Sequence, residues 1–235
     1  MVPECDVNPP REETPTVSII LTTHNRRDLV VRAIGSVQAQ TFKDWELIVI
    51  DDGSSDGTAE AVMRLAHDDR RIRYHFWANR GLAASRNWGI AVARGTFVTF
   101  LDDDDEYMPD HVGRRVAHLA VSTAVDMVTG GLRVIGPEGS DKVPDMNDRT
   151  RMIPISQCQV GGTFFARTDA LRAVGGFRDI YGMDQDLHQR FLAHGFMTET
   201  ISNPTYLYHR DSEDSMCNQA KLSRAEVESE MEIGI

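Results

Sequence analysis

Apolar residues along the first hundred positions follow two alternating rhythms. Short, nearly unbroken runs at Val17 to Thr22, Trp45 to Ile50, Ile72 to Phe76 and Thr96 to Leu101 predict strands. Runs this apolar and β-branched suit strands buried on both faces. Between them, Leu29, Val30, Ala33, Ile34 and Val37 recur at helical spacing, and Thr58 to Ala66 and Leu82 to Ala93 predict two further helices. Asn25 or Asp28 is placed to cap the first helix, and Gly95 suits the C-cap of the third. Strands alternating with helices predict an α/β fold with a mostly parallel sheet and right-handed crossovers. Ligands of such sheets sit beyond the carboxyl ends of the strands. Three polar segments occupy those ends: Thr22 to Asn25, Asp51 to Ser55 and Asp102 to Asp105.

The second half is less regular. Asp126 to Ile135 and Gly161 to Ala166 read as strands, and Thr168 to Val174 as a helix stopped by Gly175-Gly176. Asp184 to His194 reads as a helix with Leu187, Phe191 and Leu192 on its apolar side. Residues 136–153 form a polar loop containing glycine and proline. Residues 1–15 read as a flexible leader and residues 218–235 as an acidic tail. The expected organisation is one domain over 16–217, divided into 16–125 and 126–217.

Length and composition narrow the function. A chain of 235 residues with 41% hydrophobic and 26% charged residues suits a soluble α/β domain. The net charge of −11 comes without a sustained basic cluster, which argues against nucleic acid as a partner. Cys5, Cys158 and Cys217 show neither zinc spacing nor a disulfide framework, which suits a reducing compartment. No apolar stretch approaches the roughly 20 residues that span a bilayer. The leader lacks the apolar core of a signal peptide. A cytoplasmic protein is expected, with peripheral membrane contact allowed and the oligomeric state unread.

Asp102 to Asp105 carry the densest candidate chemistry. Four adjacent carboxylates repel one another and call for a cation. Oxygen ligands at a strand end suit Mg2+ or Mn2+, and such a metal suits a diphosphate. A solvated acidic loop is the plainer alternative. The apolar strand before the run and Tyr107-Met108-Pro109-Asp110 after it favour the metal. Asp51-Asp52-Gly53-Ser54 could contact a nucleobase N–H or serve only as a turn.

Taken in order, these segments resemble the family-2 glycosyltransferases of the GT-A fold. The resemblance runs over about 200 residues, from Thr16 to Ser215. It rests on Val17 to Asn25, Gln40-Thr41-Phe42, Trp45 to Asp56, Asn79-Arg80-Gly81 and Ala84-Ser85-Arg86-Asn87. Further on it rests on Phe100 to Asp105, Val174-Gly175-Gly176-Phe177 and Asp184-Gln185-Asp186-Leu187. It implies a Rossmann-like sandwich with a mostly parallel central sheet and a smaller mixed acceptor-side subregion.

The activity implied is inverting transfer of a sugar from a nucleotide-diphosphate donor, with UDP favoured by family habit. The acceptor hydroxyl would belong to a glycan, a lipid-linked glycan or a small molecule. By the same similarity Asp52 contacts the base, with Thr22, His24 and Asn25 lining that pocket. Asp104 is the principal metal ligand, Asp103 faces the ribose or sugar, and Asp102 supports the turn or the metal shell. Asp105 is a solvated neighbour or a helix cap. Arg80 and Arg86 could offset diphosphate charge, with a purely structural arginine facing the acidic loop as the alternative; His209 completes the metal or diphosphate site or is a satisfied polar residue.

Asp184 matches the general base, and its plainer role is a helix N-cap. Relatives often carry an acidic residue just before it, where this chain has Met183, and Asp186 is the rival base. An inactive nucleotide-sugar- or carbohydrate-binding module is the alternative function. A nucleotidyltransferase ranks lower, because the loop Thr23 to Arg27 lacks glycine.

Overall fold

Val17–Thr23 forms a strand, β1, in which every residue is buried. A computed structural model describes residues 8, 13–145, 148 and 151–210. Most of the leader, Cys5, Cys217 and the acidic tail lie outside the described residues. Successive β1 side chains point to opposite faces, as strand geometry requires. Val17, Ile19 and Leu21 join one apolar cluster, while Ile20 joins another. Strands β2 (Trp45–Asp51), β3 (Ile72–Phe76) and β4 (Phe97–Asp102) run parallel to it, in the order β3-β2-β1-β4. Helices α1 (Arg27–Gln38), α2 (Thr58–Asp68) and α3 (Leu82–Val92) are the crossovers. The first cluster takes Val30, Ile34 and Val37 of α1 with Val62 and Ala66 of α2; the second takes Ala83 and Ile90 of α3.

Two local expectations fail. Neither Asn25 nor Asp28 caps α1, whose N-cap is Arg26 without a side-chain bond. Asn25 adopts a left-handed φ of 52° and accepts the Ser55 N–H at 2.7 Å, so it ties two strand-end loops together. Gly95 does not end α3, which stops at Val92 with Ala93 extended behind it. Close approach explains that glycine: a Cβ there would lie 2.5 Å from the Ser18 nitrogen. The Gly95 N–H instead donates to buried Ser18, which donates to Glu46 at 2.6 Å.

The second half extends the same sheet and makes it mixed. β9 (Phe165–Arg167) lies antiparallel between β4 and β6 (Met127–Ile135); β10 (Thr198–His209) runs parallel to β6. Of the run expected as a strand over 161–166, Gly161–Thr163 is a 3-10 turn and pairing begins at Phe165. The loop expected over 136–153 contains most of a small hairpin, β7 (Lys142–Pro144) on β8 (Met152–Pro154). Helices α4 (His111–Val121), α5 (Thr168–Val174) and α6 (Met183–Ala193) complete the layers. Gln40 anchors the entry to α4 by donating to the Met108 carbonyl and accepting the Val112 N–H.

The far edge of the sheet is β5 (Glu106–Tyr107), paired antiparallel with β10. In the order β4-β9-β6-β10-β5, four spacings separate β4 from β5. In a flat sheet that is roughly 19 Å. The four residue steps from Asp102 to Glu106 reach at most about 14 Å. The sheet therefore curls, and residues 103–105 strap its two sides together across the carboxyl ends of the strands.

Candidate active site

The ends of β1, β2 and β4 are level, because Thr22 pairs with both Ile50 and Asp102. Parallel register thus delivers three polar segments to one edge. Thr22 is buried beneath them. His24 Nδ1 lies 2.9 Å from the Asp52 carbonyl and its Nε2 lies 3.0 Å from Asn25. Asp52 accepts the Arg80 N–H at 2.7 Å and the Gly81 N–H at 2.8 Å, which fixes the loop after β3. A carboxylate has lone pairs beyond those two bonds, so a third donor still fits. The Arg80 guanidinium sits 5.0 Å from the Trp77 ring rather than over the acidic strap.

On the strap, Arg26 Nη1 donates to Asp103 at 2.8 Å and to Asp104 at 3.2 Å. Arg32 donates to the Asp104 carbonyl and approaches Glu106 at 3.4 Å. Burial raises the Asp103 carboxyl above its ordinary value against the pull of Arg26. Burial, with the charges of Asp102 and Asp103, pushes Asp104 up to about 6.

Asp105 is neither solvated nor a cap. It is fully buried and accepts the Tyr206 hydroxyl at 2.6 Å and the His209 N–H at 2.7 Å. Burial, then the charges of Asp102 and Asp104, holds it well above the carboxylate range. The His209 ring turns towards Glu106, with Nε2 3.0 Å from the carboxylate.

Asp184 lies in the first turn of α6 and is not its N-cap, which is Gly182. One of its oxygens accepts from Arg86 Nη1 at 3.0 Å and the other accepts the Gly161 N–H at 2.8 Å. Arg86 Nη2 donates to Asp102 at 2.6 Å. The side chain of Arg86 is 4% exposed, whereas Asp102 and Asp184 are 28% and 25% exposed. Its guanidinium therefore forms the floor of the crevice and the two carboxylates face out. Burial alone would lower the Arg86 pKa, but the two carboxylates outweigh it and raise it. Partial burial lifts the Asp184 carboxyl above its usual value despite Arg86.

Asp186, two residues on, projects from a different side of the helix. It is held by Arg190 at 2.8 Å and Arg178 at 3.4 Å. The GT-A-like segments around 87 and 176 also meet, since Asn87 bonds both the N–H and the carbonyl of Phe177.

The crevice thus gathers Asp102, Asp103, Asp104 and Asp184, while Arg80 and Asp186 point elsewhere. Arg26, Arg32, Gly161 and Tyr206 were missed by the sequence reading. Only Arg26, in a loop facing the strap, offered a signal, as a cation opposite four carboxylates. Gly161 is tight: a Cβ there would press on Asp184 Oδ1 and lie 2.9 Å from Arg86 Nη1. Gly161→Ala is expected to cost about 1–3 kcal/mol of stability by overpacking, read from denaturant midpoints. An unchanged midpoint would show that the turn gives way freely.

Among the described residues, no three His, Cys, Asp or Glu side chains form a ready metal cluster. Mg2+-type sites often use one or two carboxylates and complete their shell with phosphate and water. Asp102 and Asp104 fit that pattern: they are hard oxygen donors, and Asp104 carries an unfavourable buried charge.

The family model described as "Glycosyl transferase family 2" matches residues 18–182. The GalNAc(5)-diNAcBac-PP-undecaprenol beta-1,3-glucosyltransferase of Campylobacter jejuni is 49% identical over 96 residues, 40% of this chain and 31% of that protein. The putative glycosyltransferase EpsE of Bacillus subtilis is 29% identical over 211 residues, 85% of this chain and 74% of the relative. The chain thus spans only about a third of the first of these two. Among solved structures, S. aureus TarS 1-349 in complex with UDP-GlcNAc superposes with a TM-score of 0.70 at 20% identity, covering 87% of this chain and 60% of that one. The Pyrobaculum calidifontis mannosyltransferase PcManGT in complex with GDP-Man and Mn2+ gives 0.69 at 20% identity, covering 91% and 62%. These likenesses establish the GT-A fold.

Proposed function

Because the chain belongs to glycosyl transferase family 2, we propose that it moves a sugar from a nucleoside diphosphate donor to an acceptor hydroxyl with inversion. The observation that carries this reading is Arg86, whose two arms join Asp102 at 2.6 Å to Asp184 at 3.0 Å. In the proposed reaction the acceptor oxygen bonds to the anomeric carbon as the carbon–oxygen bond to the diphosphate breaks. The acceptor proton passes to Asp184, held in orientation by the Gly161 N–H and Arg86. Asp104, supported by Asp102, would hold Mg2+ or Mn2+, which when bound offsets charge on the departing diphosphate.

Asp52 and the loop after β3 are proposed to receive the base, with Thr22, His24 and Asn25 beneath them. Asp103 is proposed to meet the ribose or sugar. Arg86 takes a positioning role in place of phosphate contact, since both of its arms are engaged. Residues 16–125 would serve the donor and 126–217 the acceptor. His209, paired with Glu106, stays a proposed neighbour of the metal site.

UDP is the proposed donor nucleotide, and GDP is its control because one structural neighbour is in complex with UDP-GlcNAc and the other with GDP-Man. The acceptor is proposed to be a glycan, a small molecule or, as the name of the Campylobacter relative suggests for that protein, a polyprenyl-linked glycan. No described helix is long and apolar enough to cross a membrane. The scattered cysteines keep a cytoplasmic location as part of the proposal. Calorimetry of UDP and GDP with and without Mn2+ tests the site. Nucleotide binding should strengthen at least tenfold with metal and lose that gain in Asp104→Asn. Affinity indifferent to both metal and mutation would sink the reading.

A further inference from the structure

Each carboxylate from Asp102 to Asp105 already has an internal partner. Asp102 has Arg86, Asp105 has Tyr206 and the His209 N–H, and Asp103 and Asp104 share Arg26. These partners differ in what they hold. Arg32 bonds the Asp104 carbonyl, the Asp105 N–H bonds the Asp102 carbonyl, and His209 bonds Asp105; together they fix the strap itself. Arg26 instead bonds two side-chain carboxylates from the non-helical position just before α1, and its own side chain is 19% exposed. A cation seated on Asp104, a carboxylate proposed to hold the metal, must compete with that metal.

Resting on the metal reading above, we infer that Arg26 is a built-in counter-ion that couples metal binding to donor binding. Without nucleotide, Arg26 neutralises Asp103 and Asp104 and opposes the divalent ion. A diphosphate offers the displaced guanidinium two oxygens in a geometry suited to its fork. Metal and diphosphate then assist each other through Arg26, and by linkage the assistance is equal in both directions.

The test is Mn2+ binding by electron paramagnetic resonance, with UDP absent and present. In the native protein UDP should tighten Mn2+ by about tenfold or more, and Mn2+ should tighten UDP by the same factor. Arg26→Gln should bind Mn2+ alone about tenfold more tightly, because removing a cation from beside two carboxylates favours another. Most of the UDP-linked gain should vanish, and Arg26→Lys should lie between the two. A merely structural role would not tighten metal binding, and neither would misfolding.

Mn2+ affinity that is unchanged or weaker in Arg26→Gln overturns the inference, as does coupling that survives intact. The metal reading fails by a different result: Mn2+ binding that Asp104→Asn leaves untouched in both the native and the Arg26→Gln backgrounds. Loss of binding on Asp104→Asn with no gain on Arg26→Gln overturns the coupling alone.

Discussion

Asp184→Asn is expected to lower sugar transfer by about 10²–10⁴-fold while leaving Mn2+-dependent UDP binding within about twofold. The amide is close in shape and can still accept the Gly161 N–H, so the α6 turn should keep its place. It cannot take the acceptor proton, and it offers Arg86 no charge. Donor consumption followed by mass spectrometry over a panel of nucleotide sugars and acceptors reads the effect. Asp186→Asn is the control, because Arg190 and Arg178 hold that carboxylate elsewhere. Its turnover should stay within about threefold of the native value, well short of the loss of a proton acceptor. If the two variants exchange these outcomes, the base is Asp186 and the present assignment fails.

Arg86→Met should be the most destabilising single change in the crevice. It removes the cation shared by Asp102 and Asp184 and leaves both carboxylates against a largely apolar floor that includes Phe100 and Phe177. Breaking a buried pair by deleting one partner costs about 3–5 kcal/mol. Each carboxylate here is about a quarter exposed, so water recovers part of that cost and about 3 kcal/mol is expected. For a chain of this size the midpoint of thermal unfolding would fall by roughly 6–12 °C. Arg86→Lys should restore less than half of the loss, since a compact ammonium cannot bond two separated carboxylates at once. A methionine variant within about 1 kcal/mol of the native protein would show that the carboxylates repack or protonate at little cost.

The parallel half of the fold was legible because each strand is a local event. Val17 to Thr22 and Trp45 to Ile50 declare burial on both faces by composition, and the helices between them declare one apolar stripe. The curled half was not, because its strands depend on partners far away in sequence. Glu106–Tyr107 is a strand only because β10 returns beside it, about a hundred residues later. Gly161 to Ala166 looked uniformly extended, yet its glycines serve a turn pressed against Asp184 and Tyr206.

Asp105 was misread for a related reason. A carboxylate in an acidic run is normally wet, and nothing nearby in sequence announces Tyr206 and the His209 N–H as its partners. The site residues divide in the same way. Strand-end carboxylates are placed by local pattern, but the arginines that hold them are not: Arg86 could equally meet phosphate or serve structure, and Arg26 looked like loop.

The strap also sets what can be attached to this chain. Strand β1 begins at the edge of the sheet opposite the crevice, so anything joined ahead of it starts far from the chemistry. The other direction is different. β10 ends at His209, whose N–H is bonded to Asp105, so the described part of the chain ends beside the carboxylates themselves. A dye, tether or fused domain placed soon after position 210 would stand at the doorway of the crevice and sense its occupancy. One placed before β1 would leave the doorway clear.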